Sequence, residues 1–172
     1  MKTLILGGVR SGKSRLAERL ATESGLQVVY LATATAGDAE MRSRIDAHRR
    51  HRPPHWSTVE EPLALASTLQ ALDRPDLCVV VDCLTLWLTN LLMEGESRLE
   101  RETRALLEGL PGLEATLVLV GNETGMGVIP ASALARLFCD AAGRLHQRLA
   151  ERCDRVVLTV AGLPHLLKGD PL

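Results

Sequence analysis

Gly7-Gly8-Val9-Arg10-Ser11-Gly12-Lys13-Ser14 has the residue types and spacing needed to hold phosphates, and it fits G-x-x-x-x-G-K-[ST]. Glycines let a backbone turn tightly enough to aim several N–H groups inward, and the partial charge at the start of the following helix favours an anion there. Lys13 would reach the β and γ phosphates of a nucleotide, and the Ser14 hydroxyl would hold Mg²⁺. A second carboxylate-bearing element belongs to the same chemistry. Cys78-Val79-Val80-Val81-Asp82 reads as a buried strand closed by an acid, the form that steadies Mg²⁺ in P-loop proteins.

These groups need strands and helices to position them. Leu4-Ile5-Leu6 leads into the loop as a first strand over 2–7, and a helix over 13–24 leaves it with Leu16, Ala17 and Leu20 on one face, stopped by Gly25. A short β-rich run over 27–31 ends in Ala32-Thr33-Ala34-Thr35, small residues that allow a ligand close to a strand's carboxyl end. Asp38 is a cap for a helix through 40–48, in which Met41, Ile45 and His48 share a face. Between 42 and 52 five arginines stand against one carboxylate, Asp46; a solvated surface helix and a triphosphate-matching cluster are both consistent with that composition.

Farther on, Pro62 opens a helix through Leu69, Leu84–Met93 is an apolar helix around Trp87, and 97–109 is an amphipathic one. Thr116–Val120 is a strand followed by the glycine-containing loop 121–127. A long helix over 131–152 presents Leu134, Leu137, Phe138, Leu145 and Leu149, and 155–160 is the last clear strand. With no repeat or linker, the expectation is one domain over 1–172, an α/β fold with a mostly parallel sheet flanked by helices.

Composition excludes several functions. At 172 residues, 46% apolar and 24% charged, the chain is long enough for a substantial core. Its aromatic residues are Tyr30, Trp56, Trp87 and Phe138 and its net charge is −1, which argues against a nucleic-acid partner or an anionic membrane surface. The cysteines at 78, 83, 139 and 153 lack zinc spacing and read as reduced thiols. No apolar stretch reaches membrane-spanning length and no signal peptide precedes the P-loop, so a cytoplasmic location is expected.

Taken in order, G-G-V-R-S-G-K-S, Y-L-A-T-A, E-M-R-S-R-I-D-A-H, R-P-P-H-W, D-C-L-T-L-W-L-T-N-L-L and N-E-T-G-M-G-V-I-P resemble the bifunctional adenosylcobinamide kinase / adenosylcobinamide-phosphate guanylyltransferase family of cobalamin biosynthesis. The likeness spans nearly the whole chain. It implies a RecA-like domain assembled as a homotrimer, with two activities. The hydroxyl of adenosylcobinamide, a corrinoid, is phosphorylated from ATP or GTP; GMP then passes from GTP to that phosphate through a guanylylated histidine. By motif that histidine is His48. The implied nucleotide contacts are residues 7–14, Ala32, Thr33 and Ala34, the run Arg49-Arg50-His51-Arg52, Glu60 and Asp82, with Ser14 and Asp82 on Mg²⁺.

The chemistry suits these residue types. Attack on the α-phosphate of GTP needs a nucleophile that is neutral near pH 7, and an ordinary imidazole with pKa about 6.5 largely is. Without the resemblance, an imidazole on an inner helix face is more often packed than reactive. A kinase with one activity, in which His48 only packs, would release a nucleoside diphosphate rather than pyrophosphate. A GTP-dependent switch is disfavoured because N-K-x-D and D-x-x-G are missing.

Overall fold

The computed structural model describes residues 1–35 and 53–172; the expected helix after Asp38 and the basic run 49–52 lie outside them. The strands are β1 (Lys2–Gly7), β2 (Gln27–Ala32), β3 (Ser57–Glu60), β4 (Leu77–Asp82), β5 (Thr116–Asn122), β6 (Arg155–Val160) and β7 (Leu163–Lys168). They form one sheet in the order β3-β2-β4-β5-β1-β6-β7. Every pair is parallel except β6 with β7. The helices are α1 (Lys13–Glu23), α2 (Leu65–Ala71), α3 (Leu84–Glu94), α4 (Glu96–Gly109) and α5 (Ala133–Arg152).

A parallel strand covered on both sides must be apolar throughout, and the central strands are. Their alternate residues separate into two cores. Leu4, Val79, Val81, Leu117 and Leu119 join side chains of α2 to α5 on one face. Ile5, Cys78, Val80, Val118 and Val120 join Leu16, Ala17 and Ala21 of α1 on the other. Trp87 of α3 is fully buried in the larger core and donates its indole N–H to the Leu63 carbonyl at 2.8 Å. Trp87→Ala therefore leaves a cavity and an unpaired carbonyl, and should lower stability by about 3–5 kcal/mol in urea unfolding. A loss under about 1 kcal/mol would mean that the indole does not anchor this core.

Some expectations are corrected. The helix expected from Pro62 begins at Leu65, because the Glu61 carboxylate accepts from the N–H groups of Leu63 and Ala64 and holds 61–64 as a turn. Leu134, assigned to the buried face of the long helix, is 58% exposed; the first turns of α5 project past the core that receives Leu145 and Leu149. Two strands go unread in the sequence. β3 is a four-residue edge strand paired with β2, and β7 is an exposed antiparallel edge on β6. The tail is tied down by Lys168, whose ammonium donates to the carbonyls of Ala150, Glu151 and Cys153 at 2.8–3.0 Å, where the end of α5 leaves acceptors and negative partial charge.

The thiols behave as the sequence suggests. Cys78, Cys83 and Cys153 are buried and unbridged. Burial pushes their pKa values up, Cys153 to about 12, which keeps them protonated and inert.

Candidate active site

The sheet order brings the carboxyl ends of β3, β2, β4, β5 and β1 to one edge, where Glu60, Ala32 and Asp82 are in register and the paired Asn122 and Gly7 lie two residues farther along. Open α/β sheets place ligands along such an edge. The P-loop springs from its β1 end.

Local packing explains the loop's glycines. A Cβ on Gly7 would run into the Ser11 hydroxyl and come within 2.7 Å of the Thr159 carbonyl oxygen. Gly12 has φ 95°, a left-handed value that side chains rarely adopt, and a Cβ there would lie 3.0 Å from the Gly162 Cα. The loop is braced from β6 and the turn beyond it, where the Gly162 N–H donates to the Ser11 carbonyl at 2.8 Å. Gly8, Val9 and Arg10 face solvent. The opening turn of α1 contains Lys13 and Ser14, so both side chains emerge where its backbone N–H groups are unpaired.

Lys13 Nζ donates to the Gly8 carbonyl at 3.0 Å, folding the ammonium back over the loop. Burial lowers its pKa, with Asp82 opposing. The Ser14 hydroxyl donates to Asp82 Oδ2 at 3.2 Å, which joins the P-loop to the end of β4. The same oxygen accepts from the Tyr30 hydroxyl at 2.7 Å. Tyr30, on β2, was not singled out in the sequence. Its position opposite Val80 is fixed by strand register, which local pattern does not reveal.

The turn after β2 is assembled around Thr33, which is fully buried. Its hydroxyl donates to the Cys83 carbonyl at 2.8 Å and accepts from the Cys83 N–H at 2.9 Å. Asn90 Nδ2 donates to the Thr33 carbonyl at 2.8 Å and to the Pro62 carbonyl at 3.1 Å. Thr33 thus shapes the turn, leaving the small side chains of Ala32 and Ala34 at the edge. Asn90 falls within the run D-C-L-T-L-W-L-T-N-L-L, but an amide inside an apolar helix stretch gives no local sign of the two carbonyls it joins. Glu60 ends β3 opposite Ala32. His48, Arg49, Arg50, His51 and Arg52 lie outside the described residues.

The arrangement brings together a phosphate-sized backbone loop, an ammonium and a hydroxyl–carboxylate pair of hard oxygen donors. Ser14 and Asp82 suit Mg²⁺ by ligand type. Among the described residues no helix is long and apolar enough to cross a membrane.

Residues 3–167 match the family described as cobinamide kinase / cobinamide phosphate guanyltransferase. The bifunctional adenosylcobalamin biosynthesis protein CobP of Pseudomonas aeruginosa is 61% identical over 173 residues, covering 100% of both chains. The protein CobU of Escherichia coli, carrying the same bifunctional description, is 41% identical over 95% of this chain and 97% of its own. Among solved structures, the RadB recombinase superimposes with a TM-score of 0.50 over 91% of this chain and 73% of that one, at 19% identity. That likeness concerns the fold alone and agrees with a RecA-like P-loop architecture. The chain belongs to the cobinamide kinase / cobinamide phosphate guanyltransferase family.

Proposed function

We propose that this chain, as one P-loop domain over 1–172, phosphorylates the hydroxyl of adenosylcobinamide and then transfers GMP from GTP to the new phosphate through His48. The observation that carries the residue assignment is the Ser14–Asp82 contact beside Lys13 at the head of the P-loop. It unites two sequence-distant motifs on the edge where a triphosphate would lie.

In the first step the P-loop N–H groups and Lys13 grip the β and γ phosphates of ATP or GTP, orienting the γ-phosphoryl group toward the hydroxyl. In the second the same groups hold the β and γ phosphates of GTP, which leave as pyrophosphate when the His48 imidazole attacks the α-phosphorus. Ser14 and Asp82 would hold Mg²⁺, which supplies charge neutralisation on the phosphate oxygens when bound. Tyr30 keeps the Asp82 carboxylate oriented. Ala32 and Ala34 leave room at the turn, while Arg49, Arg50, His51, Arg52 and Glu60 complete the nucleotide contacts. A homotrimer and a cytoplasmic location belong to the same reading.

The test uses the purified chain. Incubation with ATP and adenosylcobinamide should yield the phosphorylated corrinoid, and GTP labelled at the α-phosphate should leave acid-labile label on the protein with release of pyrophosphate. Label that never attaches, with diphosphate as the sole nucleotide product, would reduce the activity to a kinase.

Asp82→Asn keeps the size and one acceptor of this side chain but removes its charge. Turnover should fall about a hundredfold and recover in part at high Mg²⁺, with little change in thermal stability. Parental rates across a Mg²⁺ titration would remove Asp82 from the metal site.

A further inference from the structure

Of the nucleophiles in this two-step function, the alcohol alone must lose a proton as it attacks. A neutral imidazole attacks through its unprotonated nitrogen, and a phosphate monoester through an anionic oxygen. The kinase step therefore asks for a general base that the guanylyl steps do not need. Asp82 is ill suited, since its Oδ2 already accepts from Ser14 and Tyr30. Glu61 is committed to the turn before α2.

We propose that Glu123 is the general base of the phosphoryl-transfer step and that His146 positions it. Glu123 is the first residue beyond β5, the strand lying between β1 with its P-loop and β4 with Asp82. Its backbone N–H donates to the Gly7 carbonyl at 2.9 Å, anchoring it at the first residue of the P-loop. One carboxylate oxygen, Oε1, accepts from the Gly125 N–H at 2.7 Å, which fixes the side chain's direction. The other, Oε2, lies 3.9 Å from His146 Nδ1. With 20% of its side chain exposed, Glu123 is held from behind and still open to a substrate.

His146 stands on α5 and is 6% exposed, and its Nε2 is buried without a hydrogen-bond partner. An imidazole in such a place needs a reason, since an unpaired buried polar atom costs about 1–3 kcal/mol. Gly121 makes the room: a Cβ there would lie 2.9 Å from His146 Nε2 and 3.1 Å from Leu6 Cδ2. A bare backbone on β5 thus seats the ring directly behind the Glu123 carboxylate. Burial lowers the His146 pKa, with Glu123 opposing, so the ring contributes a dipole rather than a charge that would quench the base.

In the transfer, the acceptor oxygen bonds to the γ-phosphorus as the bond from that phosphorus to the β–γ bridging oxygen breaks. The electron pair leaves on the nucleoside diphosphate, and the hydroxyl proton goes to Glu123. The inference rests on the two-step reading above.

Glu123→Gln tests it, because the amide oxygen still accepts from the Gly125 N–H while basicity is lost. The expected result is a fall of about 10²–10⁴-fold in kcat for adenosylcobinamide phosphorylation. KM for ATP and self-guanylylation from α-labelled GTP should move less than about threefold, which also reports that the variant is folded. His146→Ala and Gly121→Ala should each lower the same kcat about tenfold without raising KM, and neither should add to Glu123→Gln when combined with it. Equal loss of both activities, phosphorylation at the parental rate, or multiplicative double variants would each overturn the proposal. If the parental chain itself fails to phosphorylate adenosylcobinamide, the two-step function falls and this inference with it; if only the variants disagree, the base assignment alone is wrong.

Discussion

Lys13→Ala abolishes both phosphoryl and guanylyl transfer, each by about a thousandfold or more. The expectation follows from geometry and charge together. Lys13 emerges from the first residue of α1, where the P-loop N–H groups converge, and its ammonium already folds back onto the loop through the Gly8 carbonyl. Negative charge builds on the β phosphate in both reactions, which leaves within the nucleoside diphosphate in one and within pyrophosphate in the other. Arg10, the loop's other cation, is exposed at a left-handed φ of 55°, whereas the Lys13 ammonium is folded over the loop. Rates of both reactions, measured with circular dichroism to confirm folding, check the point. If one activity persists near the parental rate, the two reactions use separate nucleotide sites and the shared P-loop is abandoned.

His48→Ala separates the activities where Lys13→Ala unites them. Protein-bound GMP and transfer to the corrinoid phosphate should vanish, while phosphorylation of adenosylcobinamide stays within a few fold, because γ-phosphoryl transfer does not pass through the histidine. The parental adduct should be acid-labile and alkali-stable, as a phosphorus–nitrogen bond is and a serine ester is not. Arg49 and Arg50 sharpen the reading: replacing either should weaken nucleotide binding without removing the point of attachment. Labelling that survives in His48→Ala and disappears in His51→Ala would move the nucleophile three residues along the chain. Together with Glu123→Gln, which strikes the kinase step alone, these variants should divide the molecule's chemistry into a shared grip, a guanylyl branch and a phosphoryl branch.

What was legible in the sequence was whatever local pattern encodes. The P-loop carries its own spacing, and the strands around Val79 and Leu117 announce burial on both faces by unbroken apolar runs. Asp82 stood out because an acid closing such a strand has a defined place relative to a P-loop, and its carboxylate accepts from Ser14 at 3.2 Å. Leu134 misled because helical periodicity states which face a residue shares, not whether anything covers that face.

The sequence by itself thus determined the fold class, the phosphate loop and its acidic partner, since each depends on residues close together in the chain. Tertiary structure alone decided the strand order and everything that follows from it. β5 carries no sign that it will insert between β1 and β4, yet that insertion sets Glu123 beside Gly7. Nothing near Tyr30 foretells a hydroxyl bonded to Asp82, and His146 and Gly121 are separated by the whole loop and half of α5. Strand register and helix docking arise from packing summed over the two cores, and that sum is not written in any local stretch.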